Sequence, residues 1–163
     1  YKYQLDFVVK VPHNMRLRIS TVNDGDITVK DVYGSLWVTN VNGSLDVGNA
    51  KGTTKAITVN GPINVSYLTN PPTASTYHTI NGDITVKYKD GLNADLYFLS
   101  MNGKYYTDFD NVEPINNTLE KNTENKPNST VYKISKGNAV RIGSGGQKFN
   151  FETLNGNVYI KKS

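Results

Sequence analysis

Several aspartates could form the acid pair with which polysaccharide hydrolases and lyases cleave their substrates. Asp108 and Asp110 are two residues apart, and Asp26, Asp46 and Asp83 occupy strand-like segments. Glycoside cleavage needs two carboxyl groups within about 5 to 10 Å of each other in one groove. We expect these five aspartates to be solvating residues of turns and strand surfaces, and we assign no catalytic residue. The alternative is a polysaccharide-active hydrolase or lyase on a β-helix scaffold.

The histidines and other aspartates offer little to a metal ion. His13 and His78 each lack a second histidine or a carboxylate at ligand spacing, so we predict solvent-exposed loop histidines. Asp24, Asp26 and Asp31 lack the spacing of a calcium loop. The chain has no cysteine, which excludes disulfides, thiolate metal sites and a cysteine nucleophile. We assign no metal-binding or cofactor-binding residue.

The glycine-rich run 143–146 has the composition of a phosphate-binding loop. No Gly-Lys-Ser/Thr follows it, however, and no helix is expected to begin there. The chain also lacks a Gly-x-Ser-x-Gly turn of the kind that presents a nucleophilic serine before a helix. We therefore predict a turn between two strands.

Exposed aromatic residues are the other candidates for function. Tyr106 and Tyr159 fall at outward positions of their predicted strands, whereas the pattern leaves the direction of Trp37 open. Tyrosine offers stacking area with a polar tip, which suits a glycan or a protein partner. Alignment of both tyrosines on one sheet next to Trp37 would favour a binding surface, and separation would favour isolated surface residues.

Charge and hydropathy argue against a nucleic-acid partner and against a membrane span within this segment. The formal charge is +4, with 18 basic and 14 acidic residues spread along the chain. Dispersed lysines on a β protein favour solubility and protect strand edges, so we predict no nucleic-acid partner. No segment approaches the roughly 20 apolar residues that span a bilayer. Residues 1–10 lack a signal-peptide pattern, so we expect any export signal or anchor to lie upstream.

The elements that would position these residues are set by an internal repeat. A motif of Thr, Ser or Asn, then an apolar residue, then Asn-Gly, then alternating residues recurs six times. The copies span 21–29, 40–47, 58–65, 79–86, 100–107 and 153–160, with Asp24 inserted in the first. Internal repeats of about 20 residues are typical of stacked architectures.

The spacing of the repeat favours stacked coils over hairpins. The motif asparagines at 23, 42, 60, 81 and 102 are 19, 18, 21 and 21 residues apart. Asn-Gly is also the strongest hairpin signal, so a meander of hairpins is the alternative. Stacked coils would place equivalent residues about 4.8 Å apart. The pattern then predicts a ladder of hydrogen-bonded amides from Asn23, Asn42, Asn60, Asn81, Asn102 and Asn155.

Alternation after each Asn-Gly predicts one buried and one exposed face. The inward set is apolar or aromatic: Ile27, Val29, Leu45, Val47, Ile63, Val65, Tyr67, Ile84, Val86, Tyr88, Tyr105, Val158 and Ile160. The outward set is polar: Asp26, Thr28, Lys30, Ser44, Asp46, Asn64, Ser66, Asp83, Thr85, Lys87, Lys104, Asn157 and Lys161.

These patterns predict one all-β domain over residues 1–163, a right-handed parallel β-solenoid of about 18–21 residues per coil. Residues 1–20 are predicted to be N-terminal capping strands, 21–107 regular coils, 108–130 a long loop or excursion, and 131–163 closing coils that cap the other end. Oligomers could form through the solenoid ends.

The repeat resembles that of a bacterial adhesin family of β-strand-repeat proteins, once catalogued as a domain of unknown function. The family's hallmark is a repeated Thr-Val-Asn-Gly-Asp-Ile-x-Val, and the six copies, with the flanking segments 17–22 and 151–160, match it over most of the chain. Asp24, Pro62 and Lys104 depart from the pattern.

The resemblance implies a right-handed parallel β-helix, export by a signal peptide or lipoprotein anchor, and an adhesive or envelope role. It implies no catalytic residues. We therefore expect a non-catalytic, extracytoplasmic surface or envelope protein that recognises an unidentified glycan or protein partner.

Overall fold

The fold is all-β, as predicted. The structure, a computed structural model, describes residues 5–23, 25–115, 122–126, 129–133 and 137–163. Within these ranges it contains sixteen strands and no helix. Accordingly, this part of the chain has no helix long and apolar enough to cross a membrane.

The strands are short, as β-branched segments interrupted by glycine and asparagine turns predict. Their bounds are β1 (Leu17–Ser20), β2 (Ile27–Lys30), β3 (Leu36–Thr39), β4 (Leu45–Ala50), β5 (Thr54–Ile57), β6 (Ile63–Tyr67), β7 (Ser75–Asn81), β8 (Ile84–Tyr88), β9 (Ala94–Ser100), β10 (Tyr105–Thr107), β11 (Val112–Ile115), β12 (Asn122–Lys126), β13 (Ser129–Lys133), β14 (Gly137–Ile142), β15 (Gln147–Asn155) and β16 (Val158–Lys162).

Two mostly parallel sheets share these strands. The eight-stranded sheet has the order β1-β3-β5-β7-β15-β9-β14-β11, and the six-stranded sheet has the order β10-β16-β8-β6-β4-β2. The exceptions are the antiparallel pairs that β14 makes with β9 and with β11, and β12 and β13 form a separate antiparallel pair. The parallel pairing of the repeats excludes the hairpin meander. We use the word layer for a pair of strands, one in the larger sheet and the one that follows it in the chain in the smaller sheet.

The motif asparagines form most of the predicted ladder. Each side-chain amide donates to the next side-chain oxygen at 2.8 Å, from Asn60 to Asn42, Asn81 to Asn60, Asn155 to Asn81, and Asn102 to Asn155. The order along the ladder is therefore 42, 60, 81, 155, 102, which differs from the order in the chain.

The first motif residue ties each layer to the one before. Thr58 Oγ1 donates to the Gly43 carbonyl oxygen at 3.2 Å, and Thr79 Oγ1 donates to that of Gly61 at 3.0 Å. Thr153 Oγ1 does the same to Gly82 at 3.0 Å. The side-chain donor satisfies a carbonyl that lies at a turn, outside the strand ladder. In the second copy this donor is an amide, since Asn40 Nδ2 donates to the Gly25 carbonyl oxygen at 2.7 Å.

The motif glycine is required by the close approach of successive layers. A Cβ built on Gly61 would collide with the backbone carbonyl of Gly43, and one on Gly82 with that of Gly61. Gly61 also has a φ of +155°, which L side chains rarely adopt. The Thr-x-Asn-Gly pattern thus encodes contacts between layers.

The C-terminal layer does not cap an end, which corrects the prediction for 131–163. Strand β15 lies between β7 and β9, and β16 lies between β8 and β10. Both strands are parallel to both neighbours. Every layer carries the same apolar alternation and Asn-Gly corner, so a late copy can pair between two earlier ones.

The glycine-rich run 143–146 is a turn, as predicted, and it crosses the start of β9. Strand β14 pairs with one side of β9 and β15 with the other. Within the turn, the Ser144 backbone N–H and hydroxyl both donate to Asn93 Oδ1, at 2.9 and 3.0 Å. Gly143 and Gly145 have φ values of +60° and +73°, and a Cβ on Gly143 would collide with Asn93. Glycine is therefore needed for a tight crossing.

One apolar core lies between the two sheets. All predicted inward residues are buried except Tyr105, which is 37% exposed because β10 is the edge strand. Aromatic rings stack through the C-terminal half, with Phe151 against both Tyr77 and Phe98 at centroid distances of 5.0 and 5.2 Å. Phe149 stacks on Tyr88 at 5.3 Å. These stacks hold the inserted layer in place.

The two ends differ from the sequence prediction. Within residues 5–20, where capping strands were expected, β1 is the one strand described, and Leu5, Phe7, Val8 and Val9 are exposed. Residues 108–130, expected to be a long loop or excursion, include β11, β12 and the start of β13. Antiparallel pairing with β14 places β11 at the far edge of the larger sheet.

Candidate functional site

A row of outward side chains crosses the whole six-stranded sheet in register. The residues of the row are Thr28, Asp46, Asn64, Thr85, Tyr159 and Tyr106, one from each of β2, β4, β6, β8, β16 and β10. At about 4.8 Å per strand, the row is roughly 24 Å long. The row is therefore continuous across all six strands.

An open groove of about 400 Å³ lies on the same face and is lined in part by four residues of the row. Eight of its eleven lining residues are polar or charged, and the full lining is Thr28, Lys30, Asp46, Val47, Gly48, Asn64, Val65, Ser66, Thr85, Lys87 and Lys161. Because these side chains come from five adjacent strands, the groove runs across the strands and parallel to the row.

The groove owes part of its shape to an irregularity in β4. The register between β4 and β6 shifts between Val47 and Ala50, and Asn49 has a φ of +58°. Gly48, which pairs with Lys30, presents no side chain there. The bulge and its glycine leave less side-chain volume at this point of the groove, since the neighbouring strands carry full side chains.

Three lysines give the groove a positive charge. Lys30, Lys87 and Lys161 line it, and Asp46 is the one carboxylate among the lining residues. Both carboxylate oxygens of Asp46 accept bonds from neutral groups, from Asn64 Nδ2 at 2.8 Å and Ser44 Oγ at 2.9 Å. In the described part of the chain, no ion pair involves any of the three lysines.

An aromatic pair closes one end of the row. The Tyr106 and Tyr159 rings stack at a centroid distance of 5.2 Å and an interplanar angle of 11°. Tyr106 is 47% exposed and belongs to the edge strand β10. Lys161 Nζ lies 5.9 Å from the Tyr159 centroid. The two tyrosines are thus aligned on one sheet. This alignment is one of the two conditions that favour a binding surface, and the other is a position next to Trp37.

Trp37 is not next to this pair. It lies on β3 in the other sheet, faces outward and is 37% exposed. Arg18 Cζ is 4.0 Å and Lys55 Nζ 4.4 Å from its ring centroid, and these residues pair with it from β1 and β5 on either side. Since cations occupy both sides of the indole, Trp37 is poorly placed to stack on a sugar.

Most of the aspartates considered for catalysis bind backbone N–H groups of adjacent layers. Asp26 Oδ1 accepts from Ser44 N at 2.6 Å, Asp83 Oδ1 from Asn157 N at 2.7 Å, and Asp108 Oδ1 from Lys162 N at 2.8 Å. The bond from Ser44 holds the pKa of Asp26 below its usual value. Asp110 is exposed beyond β10. The groove therefore contains one of the five, Asp46.

The histidines have partners that the sequence did not reveal. His78, expected in a loop, lies in β7, and its Nδ1 is 3.1 Å from Glu152 Oε2 of β15. His13 Nδ1 lies 2.6 Å from the Asp31 carbonyl oxygen, and its ring stacks on Tyr33. Asp24 lies outside the described residues. Within the described ranges, no three His, Cys, Asp or Glu side chains are grouped as metal ligands.

One further ion pair lies near the glycine turn, away from the groove. Arg141 Nε and Nη2 donate to the two carboxylate oxygens of Asp95 at 2.8 and 3.0 Å. This bidentate contact lowers the pKa of Asp95 and raises that of Arg141. It joins β14 to β9, so its role is structural.

The sequence placed the polar groove residues on the outward face but did not bring them together. Lys161 is 74 residues from Lys87 in the chain, yet the two are register partners on β16 and β8. Only the insertion of the last layer creates this contact. Comparisons of the chain with protein-family models, curated proteins and solved structures find no match.

Proposed function

We propose that this chain is a non-catalytic binding scaffold, exported by a bacterium to its surface or envelope, that recognises a glycan or protein partner. The observation that carries the proposal is the in-register row, which shares four residues with a polar groove and ends in two stacked tyrosines, the half-buried Tyr159 and the exposed Tyr106. Aromatic faces next to hydroxyl and amide groups suit a partner that offers both apolar and hydrogen-bonding surface.

We further propose that the two sheets are opposite walls of a right-handed parallel β-solenoid. Support comes from the alternation of consecutive strands between the sheets, from the asparagine ladder and from the repeat of 18–21 residues. An experimental structure would test it: every passage between the sheets should have the same right-handed sense, and a reversed passage would refute it.

The extracytoplasmic location and the adhesive role rest on the resemblance of the repeat to the bacterial adhesin family. Labelling of intact cells with an antibody against this chain tests the location. Surface labelling, or labelling after the outer membrane alone is opened, is expected, and a signal confined to the cytoplasmic fraction would contradict export.

A polysaccharide hydrolase or lyase is the enzymatic alternative. It would need a second carboxyl group facing Asp46 across the groove, since glycosidic cleavage uses a pair. The described groove lining has Asp46 alone. This arrangement favours recognition without cleavage.

Binding to an array of glycans and host-matrix proteins tests the function. The wild-type chain should bind a subset of the array, and Tyr106→Ala with Tyr159→Ala should weaken this binding about tenfold, because a stacking face is lost. Trp37→Ala is the matched control, since it removes an exposed aromatic from the other sheet, and it should leave binding unchanged. Equal loss in both variants, or shortening of a bound polysaccharide, would contradict the proposal.

A further inference from the structure

The groove contains an electrostatic feature that its fold does not require. Lys87 and Lys161 occupy directly paired positions on adjacent parallel strands, and both line the groove. Like charges at directly opposed positions of a sheet are destabilising. In the described part of the chain, neither lysine forms an ion pair.

Some exposed cations of this protein have close partners. Arg141 binds Asp95, Lys162 Nζ lies 2.7 Å from Asp90 Oδ1, and Lys51 Nζ lies 3.9 Å from the Tyr33 ring centroid. Within the described residues, Lys30 and Lys87 form no ion pair, and Lys161 has only its 5.9 Å approach to the Tyr159 ring centroid. The lining carries three lysines against Asp46, a net charge of +2 from 3 − 1.

The neutral groups of the groove indicate the rest of the partner. Thr28, Ser66 and Thr85 supply hydroxyls, and Asn64 an amide. These groups and the adjacent Tyr159–Tyr106 stack suit sugar hydroxyls and sugar ring faces. A chain of sugars that carries negative groups would satisfy the lysines, the hydroxyls and the rings together.

We propose that the groove recognises an anionic polysaccharide, whose acidic groups bind between Lys87 and Lys161 and toward Lys30. This inference rests on the proposed binding function and adds the chemical class of the ligand. Carboxylate and sulfate groups share the required charge. The free protein retains the opposed lysine pair, and the bound anion removes its repulsion.

Binding of the full chain to polygalacturonate, dextran sulfate, neutral dextran and an oligothymidylate tests the inference. We expect binding to at least one anionic polysaccharide, with an affinity that falls as salt is raised, and weaker binding to neutral dextran. Lys87→Gln with Lys161→Gln should weaken anionic binding about tenfold or more, because two charge-assisted contacts are lost. Lys55→Gln, the same change on the other sheet, should not.

The same variants give a second measurement that does not need a ligand. Lys87→Gln should raise the thermal midpoint of the free protein at low salt, and added salt should raise the wild-type midpoint more than that of the variant, since both treatments relieve the repulsion. A lower midpoint for Lys87→Gln at low salt would contradict the opposed-charge argument.

The outcomes separate this inference from the proposed function. Equal affinity for neutral and anionic dextrans, unchanged by the lysine substitutions but reduced by Tyr106→Ala, would overturn the anionic ligand and leave glycan binding intact. Failure to bind any glycan or matrix protein would overturn both. Tighter binding to the oligothymidylate than to either polyanionic polysaccharide would overturn the ligand class in favour of nucleic acid.

Discussion

At each Asn-Gly corner, three motif residues have separate tasks. The hydroxyl residue, as in Thr79, satisfies a glycine carbonyl of the adjacent layer. The asparagine extends the amide ladder, and the glycine lets two backbones approach more closely than any side chain allows. The motif is therefore retained because each layer must fit the next, and each residue can be tested alone.

Asn81→Ala should destabilise the protein by about 1 to 3 kcal/mol, because its side chain bonds to both Asn60 and Asn155 and two hydrogen bonds are lost. Urea denaturation measures the change. Asn23→Ala is the control, since the ladder described begins at Asn42, and it should have a much smaller effect. Equal effects would mean that the ladder contributes little.

Gly61→Ala should destabilise the protein by more than about 2 kcal/mol, because the added methyl would collide with the Gly43 carbonyl and force the layers apart. Gly91→Ala is a matched control: Gly91 also has a positive φ, +75°, but its Cβ would meet no atom within 4 Å. It should cost only about 1 kcal/mol from the backbone conformation. Thermal unfolding of both variants separates close approach from φ alone.

At the scale of the element, β6, β7 and β8 are joined by buried tyrosine hydroxyls. Tyr77 Oη lies 2.7 Å from Tyr67 Oη and 3.2 Å from Tyr88 Oη. Tyr67 and Tyr88 also stack at 5.3 Å. This polar cluster within the core links the two sheets, because Tyr77 belongs to the larger sheet and the other two belong to the smaller one.

The tyrosine cluster predicts alkaline destabilisation. Burial raises the pKa of Tyr67, and it raises those of Tyr77 and Tyr88 well above the ordinary value of 10.0. The unfolded chain therefore loses these protons first. This contribution to stability is complete below pH 10.0 and falls as the pH rises toward the folded-state pKa values.

Urea denaturation between about pH 8 and 11 tests this, since the free energy of unfolding should fall above pH 10. Tyr77→Phe should make the fall shallower, because one buried titrating group is removed. Tyr106→Phe, a change at an exposed tyrosine, should leave the slope as in the wild type. A flat profile for the wild type would contradict the burial of three protonated hydroxyls.

Phe151 is the side chain that best tests the inserted strand β15. It is 1% exposed and stacks between Tyr77 and Phe98. Phe151→Ala should cost about 3 to 5 kcal/mol, since it leaves a cavity between neighbouring layers. Leu154→Ala on the same strand, at a side chain 38% exposed, should cost less than about 1 kcal/mol. Chemical denaturation distinguishes the two.

At the scale of the whole molecule, the inserted layer of β15 and β16 separates two groups of strands. Only one of these groups needs the inserted layer in order to pair with the rest of the stack. Strands β1 to β8 pair only with one another, apart from the contacts of β7 and β8 with β15 and β16. Strands β9 and β10 reach β7 and β8 only through the C-terminal layer. The layer of β9 and β10 is therefore expected to lose its strand pairing to the rest of the stack when the C-terminal layer is displaced.

Hydrogen exchange should detect this dependence. In the Phe151→Ala variant, we expect the amides of β9, β10, β15 and β16 to lose protection together, while β3 to β6 keep theirs, because cooperative units open as contiguous blocks. Uniform loss of protection over all strands would indicate one cooperative unit. Loss confined to β15 would contradict the linking role of the inserted layer.

The repeat in the sequence determined much of this architecture. It indicated the all-β class, the inward residues from Ile27 to Ile160 with the exception of Tyr105, and the amide ladder from Asn42 onward. These features follow from period-two alternation and from Asn-Gly corners, which are local properties of each copy. The outward placement of Tyr106 and Tyr159 followed in the same way.

The tertiary structure alone decided the order of the layers and, with it, the groove. Because every copy offers the same apolar strands and the same corner, no local pattern specifies that 153–160 stacks between 79–86 and 100–107. In this position of the last copy, Phe149 and Phe151 stack on aromatic rings that are distant in the chain. The insertion pairs His78 with Glu152 and opposes Lys87 to Lys161 across 74 residues of chain. Such contacts depend on which layers are neighbours, and this is a property of the folded chain.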